Sequence, residues 1–340
     1  MGAEMTRAQS SAKIIDVHAH CALGELTTYM KKLGTELIPQ RLIPASLPIT
    51  DSEAHMKARL KMMDEAGVGL QILSPPPVPY ITDQAAALGL ARLINDGHEK
   101  ITRNYAGRMT AYVYLPLPHV DAALAEMKRG LDELGMAGVN MFNAIDTHSI
   151  VDPQYDPLYE EMNRRGAVLF IHPSLNGLCS PLIKDYGLSG SIGPTMEDTA
   201  VAAHLITHGI PARFPKIKII VPHLGGSLPL LLQRMDNQVA HENPRLTERP
   251  STTARRLWYD TVSHGSAPAL RCACETLGAG RLLAGSDYPA LLPFETYQQT
   301  IHHVRQADLA ADAVDLILHQ NAAVLFPELA RIANRESARL

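Results

Sequence analysis

The stretch IIDVHAH, residues 14–20, places two histidines directly behind a short run of β-branched apolar residues. Isoleucine and valine favour strands, so this run predicts a buried strand that ends at His18 and His20. Side chains two residues apart on a strand point to the same side. The stretch therefore predicts one strand end that presents two imidazoles to a common space.

Seven further runs of this kind recur along the chain and alternate with helical stretches. Most are apolar almost throughout, which is typical of parallel strands buried on both faces. With the first run, the series is KIIDV (13–17), LQILS (70–74), MTAYVYL (109–115), GVNMF (138–142), AVLFIH (167–172), KIIVPH (218–223), LWYDT (257–261) and RLLAGSD (281–287). Eight such units in 340 residues predict a (β/α)8 TIM barrel, an α/β fold. An open doubly wound sheet is the alternative, but its G-x-G-x-x-G turn is absent.

The division of the chain follows from the same pattern. Residues 1–12 are polar and are predicted to form a flexible N-terminal tail, and residues 13–340 are predicted to form a single barrel domain. Residues 21–50 form an insertion after strand 1 that is too long for a simple loop. Because long loops after barrel strands cover the catalytic face, we expect this insertion to form part of the wall or lid of a site.

Composition excludes several classes of partner. The net charge of −4 offers no basic surface for nucleic acid, and no apolar run is long enough to span a membrane. The four cysteines are too few and too scattered for a disulfide framework. We therefore expect a cytoplasmic protein that binds neither nucleic acid nor a membrane.

Residues of metal-ligand type lie where the predicted strands end. His18 and His20 end strand 1, His172 ends strand 5, His223 ends strand 6 and Asp287 ends strand 8. The carboxyl ends of barrel strands meet at one face, where active sites of this fold lie. Imidazole and carboxylate ligands suit Zn²⁺ and similar divalent ions. The conjunction predicts a mononuclear metal site with an open position for a reactant.

The motifs DVHAH, IHP, PHLGGSLPLLLQR and GSDYP occur in this order at the strand ends. Together they resemble the amidohydrolase superfamily and, within it, the family related to aminocarboxymuconate-semialdehyde decarboxylase. The resemblance implies that one divalent ion, usually Zn²⁺ with Mn²⁺ as the second candidate, is held by His18, His20, His172 and Asp287. It also implies that His223 transfers protons and that Asp287 takes part in catalysis.

The resemblance further implies a substrate-binding arginine eleven residues beyond the strand 6 histidine, which is Arg234 here. In the family this arginine often acts across a subunit interface, so a homodimer or higher homo-oligomer is expected. A salt bridge on the surface of a helix is the other reading of Arg234. Ser174 stands where the founding enzyme has tryptophan, and Asn143 follows strand 4, so both are candidates for substrate binding. Glu197 is a weaker candidate for orienting a histidine, and Asp260 for reaching substrate.

These residues predict a metal-dependent decarboxylase, a carbon–carbon lyase, that acts on a small aromatic or muconate-like carboxylic acid. Loss of CO₂ requires a proton for the carbon that carried it, and His223 can supply one near neutral pH. The same site could instead run as a hydrolase of a lactone, ester or amide through a metal-bound water. A barrel that keeps only a structural metal is disfavoured, because structural zinc sites are usually closed.

Overall fold

The computed structural model describes residues 12–34, 49–78, 80–243, 246 and 248–335. In these residues eight parallel strands form one sheet in sequence order: β1 Ile14–His20, β2 Val68–Ser74, β3 Met109–Tyr114, β4 Gly138–Phe142, β5 Val168–His172, β6 Lys218–Val221, β7 Trp258–Asp260 and β8 Leu282–Leu283. Beyond β8 the chain returns to β1, where the Val17 amide donates to the Ala284 carbonyl at 3.0 Å. A parallel bridge also joins Ala19 to Tyr288. The sheet is thus a nearly closed barrel, and the predicted (β/α)8 fold is confirmed.

Helices connect consecutive strands and pack around the barrel. Their bounds are α1 Gly24–Lys32, α2 Glu53–Glu65, α3 Gln84–Asn104, α4 Val120–Asp132, α5 Asp156–Arg165, α6 Pro181–Lys184, α7 Gly193–Thr207, α8 Ile210–Arg213, α9 Leu228–Glu242, α10 Pro250–Ala254, α11 Ala267–Leu277, α12 Tyr297–Gln306, α13 Ala311–Asp315, α14 Asn321–Leu325 and α15 Pro327–Arg335. A short antiparallel hairpin, Ala144–Ile145 with His148–Ser149, follows β4. Among the described residues, none of the helices combines the length and the apolar character that crossing a bilayer requires.

The predicted insertion after strand 1 is described only in part. It contains α1, whose Leu26 and Met30 are buried, and residues 35–48 lie outside the described residues. Most of the predicted tail, residues 1–11, also lies outside them. The division into a tail and a single domain therefore stays a prediction.

An extra residue in β1 sets the direction of the two histidines. Asp16 pairs with Gln71 and Ala19 with Leu73, so three steps along β1 match two along β2. Ile15 before this bulge and Val17 within it pack inside the barrel, whereas Ala19 beyond it packs on the outer side. Bulges of this kind re-aim side chains next to active sites. The bulge therefore turns His18 and His20 inward at the end of the strand.

The lower end of the barrel interior is closed by the end of the described chain. Residues Ala322, Leu325 and Phe326, together with Ala333, pack against the inner residues of β1 and β2. The ring of Phe326 lies 6.5 Å from that of Tyr112 on β3. We call this group, residues 322–333, the barrel floor. Because the floor fills the amino-terminal end, the opposite end remains as the mouth.

A buried histidine outside the mouth gives the barrel a defined response to acid. His98 on α3 is fully buried, and burial lowers its pKa to about 4, with His20 and Arg59 adding to the shift. Its pKa in the unfolded chain is about 6.5, so the unfolded state binds the proton more readily. The contribution of neutral His98 to the free energy of unfolding is complete above pH 6.5. It is lost as the pH falls towards 4, and the loss at pH 5 is about 2 kcal/mol.

We therefore expect the free energy of unfolding to fall less between pH 7.5 and pH 5 in the His98→Gln variant than in the wild type. Urea unfolding of metal-free protein at the two pH values measures the difference, because metal release then contributes nothing. An equal loss in the two proteins would contradict the prediction.

Candidate metal centre

Four predicted side chains converge at the mouth. One ligand atom from each of His18, His20, His172 and Asp287 lies within 4.8 Å of every other. The Nε2 atoms of His20 and His172 are 3.1 Å apart, and Asp287 Oδ1 lies 3.2 Å from His20 Nε2 and 3.4 Å from His18 Nε2. Distances of 3.1 to 3.4 Å between these nitrogen and oxygen atoms suit ligand atoms that share one cation. We call these four residues the ligand cluster.

Each imidazole of the cluster is held through its other nitrogen. Nδ1 of His18 contacts Asp260 Oδ2 at 2.7 Å, Nδ1 of His20 contacts the Ser74 carbonyl at 3.1 Å, and Nδ1 of His172 contacts the Pro173 carbonyl at 2.9 Å. A carbonyl can only accept, so Nδ1 carries the proton in His20 and His172, and Nε2 offers its lone pair. Metal-bound histidines are usually oriented in this way.

The pKa shifts of His172 and Asp287 also fit a cation at this place. Burial, reinforced by His20 and His18, lowers the pKa of His172 well below its usual value, which keeps its imidazole neutral. Burial alone would raise the pKa of Asp287, but the neighbouring histidines outweigh it and hold that pKa well below the usual range. His18 Nε2 is buried and has no hydrogen-bond partner among the described residues. The chain thus carries a His₃–Asp set that fits one divalent metal ion.

His223 lies beside the cluster. Its Nε2 is 3.7 Å from Asp287 Oδ2, and its Nδ1 contacts Asp198 Oδ2 on α7 at 2.7 Å. Burial opposes a charge on His223, but Asp198 and then Asp287 outweigh this and raise its pKa well above the usual value. Burial raises the pKa of Asp198 to about 7. His223 and Asp198 therefore form a hydrogen-bonded pair that can hold a proton next to the cluster.

The backbone is strained where the cluster is completed. His223 and Asp287 have φ values of 52° and 51°, in the left-handed region that non-glycine residues rarely adopt. After His223 the chain turns sharply through two glycines. A Cβ on Gly226 would lie 2.0 Å from the Thr195 carbonyl oxygen, so only glycine lets this turn approach α7. The HLGG sequence thereby brings His223 against Asp198.

Two acidic residues play parts other than those expected. Asp260 does not face a substrate: besides His18 Nδ1, it accepts hydrogen bonds from the His223 and Val262 amides. Glu197 does not orient a histidine. It accepts from the Ser174 amide and hydroxyl and from further amides of the loop after β5, and the histidine-orienting role belongs to its neighbour Asp198. The adjacent acids at 197 and 198 were the available signal, but the sequence does not reveal which of them faces His223.

Of the three predicted substrate-binding residues, two lie together by the mouth and the third is exposed on α9. Ser174 and Asn143 lie by the mouth, where the Ser174 amide donates to Asn143 Oδ1 at 3.1 Å. Arg234 on α9 is exposed and, in the described part of the chain, has no hydrogen bond or ion pair. The surface salt bridge considered for it is therefore not observed among these residues. Arg59, which sequence reasoning missed, is buried, donates to the His20 carbonyl and stacks over the Tyr288 ring at 4.2 Å.

The amidohydrolase family model matches residues 15–327. The chain belongs to the amidohydrolase family. The expected resemblance is confirmed by relatives that are themselves decarboxylases. A 2-amino-3-carboxymuconate-6-semialdehyde decarboxylase of Dictyostelium discoideum is 26% identical to this chain over 238 residues, which cover 68% of the chain and 66% of that relative. A γ-resorcylate decarboxylase of a Rhizobium species is 31% identical over 256 residues, covering 68% of the chain and 76% of the relative.

A third relative matches almost the whole of this chain. The 6-methylsalicylic acid decarboxylase of Penicillium expansum is 27% identical over 337 residues, which cover 94% of the chain and 98% of the relative. Among solved structures, 5-carboxyvanillate decarboxylase from Sphingomonas paucimobilis matches with a TM-score of 0.79 at 24% identity, covering 93% of this chain and 99% of that one. The dihydroxybenzoic acid decarboxylase of Polaromonas sp. JS666, solved with bound manganese and 2-nitroresorcinol, matches with a TM-score of 0.76 at 22% identity and covers 93% and 97%. These structures share the barrel fold.

Asp260 gives a first test of the cluster. We expect Asp260→Asn to weaken metal binding by about 10- to 100-fold, because His18 loses the carboxylate that orients it and raises its basicity. Competition with a chromogenic chelator measures the affinity, and Asp132→Asn, at an exposed position on α4, is the matched control. An unchanged affinity in Asp260→Asn would show that Asp260 does not support the ligand.

Proposed function

We propose that the protein is a metal-dependent decarboxylase that acts on a small aromatic or muconate-like carboxylic acid. The observation that carries this proposal is the position of the His223–Asp198 pair beside the ligand cluster, with His223 Nε2 3.7 Å from Asp287 Oδ2. A proton source next to a cation site is what decarboxylation of such acids requires. The decarboxylase relatives named above support the same reaction class.

We assign the cation to His18, His20, His172 and Asp287. Three imidazoles and one carboxylate suit Zn²⁺, and the manganese in the solved Polaromonas relative supports Mn²⁺ as the alternative. When bound, the ion would anchor the acid through oxygen and stabilise negative charge that develops on it. Elemental analysis of purified protein distinguishes the two metals.

His223 has the central chemical role. With Asp198 on its Nδ1, His223 can deliver a proton from Nε2 to the ring carbon that bears the carboxylate. The carbon–carbon bond then breaks, its electron pair returns to the ring, and CO₂ leaves. Asp198 stabilises the charged imidazole before transfer, and Asp287 holds a negative charge close to the same nitrogen. His223 regains its proton from solvent to complete the cycle.

The assay compares CO₂ release with hydrolysis. We expect metal-loaded protein to release CO₂ from at least one member of a panel of hydroxybenzoates and muconates, and metal-free protein to release none. A panel of lactones, esters and amides tests the hydrolase alternative, which needs the same ligands. Turnover confined to the second panel would overturn the decarboxylase proposal.

We further propose that Arg234 binds a substrate carboxylate across the interface of a homodimer. The exposed side chain of Arg234 lies one helical turn after Leu230, which is 74% exposed. Leu231, next to Leu230, is also exposed. An exposed apolar surface around an unpaired cation is typical of a contact between subunits. The planar guanidinium can bind a carboxylate through two parallel hydrogen bonds.

Mixed dimers test whether Arg234 acts in trans. Arg234→Ala and His223→Ala should each be nearly inactive, but a heterodimer of the two would contain one site with both native residues. Because random mixing makes half of the dimers mixed, co-expression should restore about a quarter of the wild-type rate. Light scattering establishes the dimer, and failure to complement within a proven dimer would place Arg234 outside the partner's site.

The free cysteines support a reducing compartment. Cys21, Cys179, Cys272 and Cys274 all carry free thiols, as expected of a chain that does not rely on disulfides. We therefore propose that the reaction takes place in the cytoplasm.

A further inference from the structure

The chain leaves β5 through a loop, residues 174–179, whose backbone is strained over most of its length. Leu175, Leu178 and Cys179 have φ values of 59°, 56° and 56°, and Gly177 has a φ of 61°. Only glycine adopts this left-handed region without cost, so the three other residues need surrounding structure that holds them in it. We call residues 174–179 the β5 loop.

One buried carboxylate supplies this support. Glu197 on α7 is 1% exposed, and its Oε2 accepts hydrogen bonds from the Ser174 amide at 2.8 Å, the Ser174 hydroxyl at 2.9 Å and the Leu175 amide at 3.1 Å. Its Oε1 accepts from the Gly177 amide at 2.7 Å. Backbone amides that converge in this way form a concave site for an anion, and here the anion is a side chain of the protein itself. Glu197 therefore holds the β5 loop in its strained conformation.

The β5 loop forms one wall of a cavity at the mouth. Ser174, Asn176 and Cys179 line this cavity together with Phe142 at the end of β4. The Phe142 ring lies edge-on to the His172 ring, with centroids 6.0 Å apart. Because His172 belongs to the ligand cluster, the β5 loop lies beside the space that a metal-bound acid would occupy.

The residue after Glu197 holds the other side of the site. Oδ2 of Asp198 contacts Nδ1 of His223 at 2.7 Å. Consecutive residues of a helix point about 100° apart, so one turn of α7 reaches the β5 loop with one carboxylate and the turn after β6 with the next. Both carboxylates are buried, and α7 lies between β5 and β6 in the chain. The spacing between the cavity wall and the proton donor is thus set by a single turn of helix.

We propose that Glu197 is a positioning residue that keeps the β5 loop in the conformation in which it bounds the binding space of the acid. The two carboxylates of α7 then have separate tasks. Glu197 determines how tightly the acid binds, and Asp198 determines how readily His223 delivers its proton. The inference rests on the proposed function and adds to it a residue that acts only through the loop it holds.

Kinetics of Glu197→Gln and Asp198→Asn, with the acid that the CO₂-release panel identifies, test this division. In Glu197→Gln the new Nε2 faces at least one backbone N–H whichever way the amide is turned, so the β5 loop loses part of its support. We expect KM to rise about tenfold with kcat within about twofold, because binding must then also order the loop. Asp198→Asn should do the opposite and lower kcat with KM within about twofold. Glu160→Gln, at an exposed position on α5, is the control and should change neither.

Hydrogen exchange gives a readout that does not need turnover. The amides of Ser174, Leu175 and Gly177 donate to Glu197, so their exchange rates report on this support directly. In Glu197→Gln we expect these amides to exchange about tenfold faster, while a peptide from α4 keeps its wild-type rate. Ser174→Ala removes the hydroxyl donor and leaves the three amides. It should show a smaller increase, and it replaces Glu197→Gln in the test if that variant does not fold.

The outcomes keep the two proposals apart. If no acid releases CO₂, but calorimetry shows that the wild type binds one which Glu197→Gln binds about tenfold more weakly, the decarboxylase proposal fails and the role of Glu197 stands. The role of Glu197 is overturned if Glu197→Gln exchanges like the wild type in the β5 loop, or if exchange rises equally in the β5 loop and α4. A fall in kcat at unchanged KM, or a panel from which no acid binds, would overturn it as well.

Discussion

Replacing both His18 and His20 with alanine is expected to lower bound metal from about one ion per chain to near zero. The two imidazoles supply half of the four ligand positions, and the remaining His172 and Asp287 cannot enclose a cation by themselves. Decarboxylation should fall by on the order of 10³-fold or more, because neither the anchoring of the acid nor the stabilisation of its developing charge survives. Elemental analysis and CO₂ release on the same preparation measure both effects.

His208→Ala is the matched control, since His208 is an exposed histidine on the end of α7 and lies away from the cluster. It should keep full metal content and rate. A double variant that binds no metal but retains wild-type turnover would show that the ligand cluster is not the catalytic centre.

His223→Ala is expected to keep its metal and to lose about 10²- to 10⁴-fold in kcat, the contribution usual for a positioned proton donor. His223 is not needed to enclose the cation, so metal affinity should change little. Asp198→Asn removes the partner of Nδ1 and the charge that stabilises the protonated ring. It should lower kcat by a smaller factor and shift the acid side of the pH–rate profile, a change that a purely structural role would not produce.

His241→Ala, at an exposed position on α9, controls for the loss of a histidine as such. Metal analysis must accompany each rate, because a variant that lost its ion would be slow for another reason. A His223→Ala enzyme with full metal and a near-native kcat would exclude this residue as the proton donor.

The barrel and its ligand cluster could be predicted from the sequence because each rests on a local pattern. A buried parallel strand is apolar almost throughout, so a histidine or aspartate at its end stands out in the sequence. His18, His172 and Asp287 are separated by more than a hundred residues along the chain, yet the fold brings all strand ends to one mouth. The position of each ligand at the end of its strand therefore predicted which end of the barrel it occupies.

The partners of these ligands could not be predicted, because they depend on packing between elements. The bulge between Asp16 and Ala19 leaves no mark in the sequence, yet without it His18 and His20 would point outward with Asp16. Whether Glu197 or Asp198 reaches His223 depends on the rotation of α7 against the turn at Gly226. A cavity lined by Ile81, Leu115, Phe142 and Ser174 draws its walls from distant stretches of the chain, so no single stretch predicts it.

The barrel floor has a consequence for how the chain is made. Its residues, 322–333, come roughly 300 positions after β1 in the chain, so the ribosome makes them long after the inner faces of β1 and β2 that they cover. Until then Ile15, Val17 and Leu70 lack their covering helices, and exposed apolar surface of this kind favours aggregation of nascent chains. Chaperone demand during synthesis should therefore persist at least until the floor residues emerge, however early the strands themselves assemble.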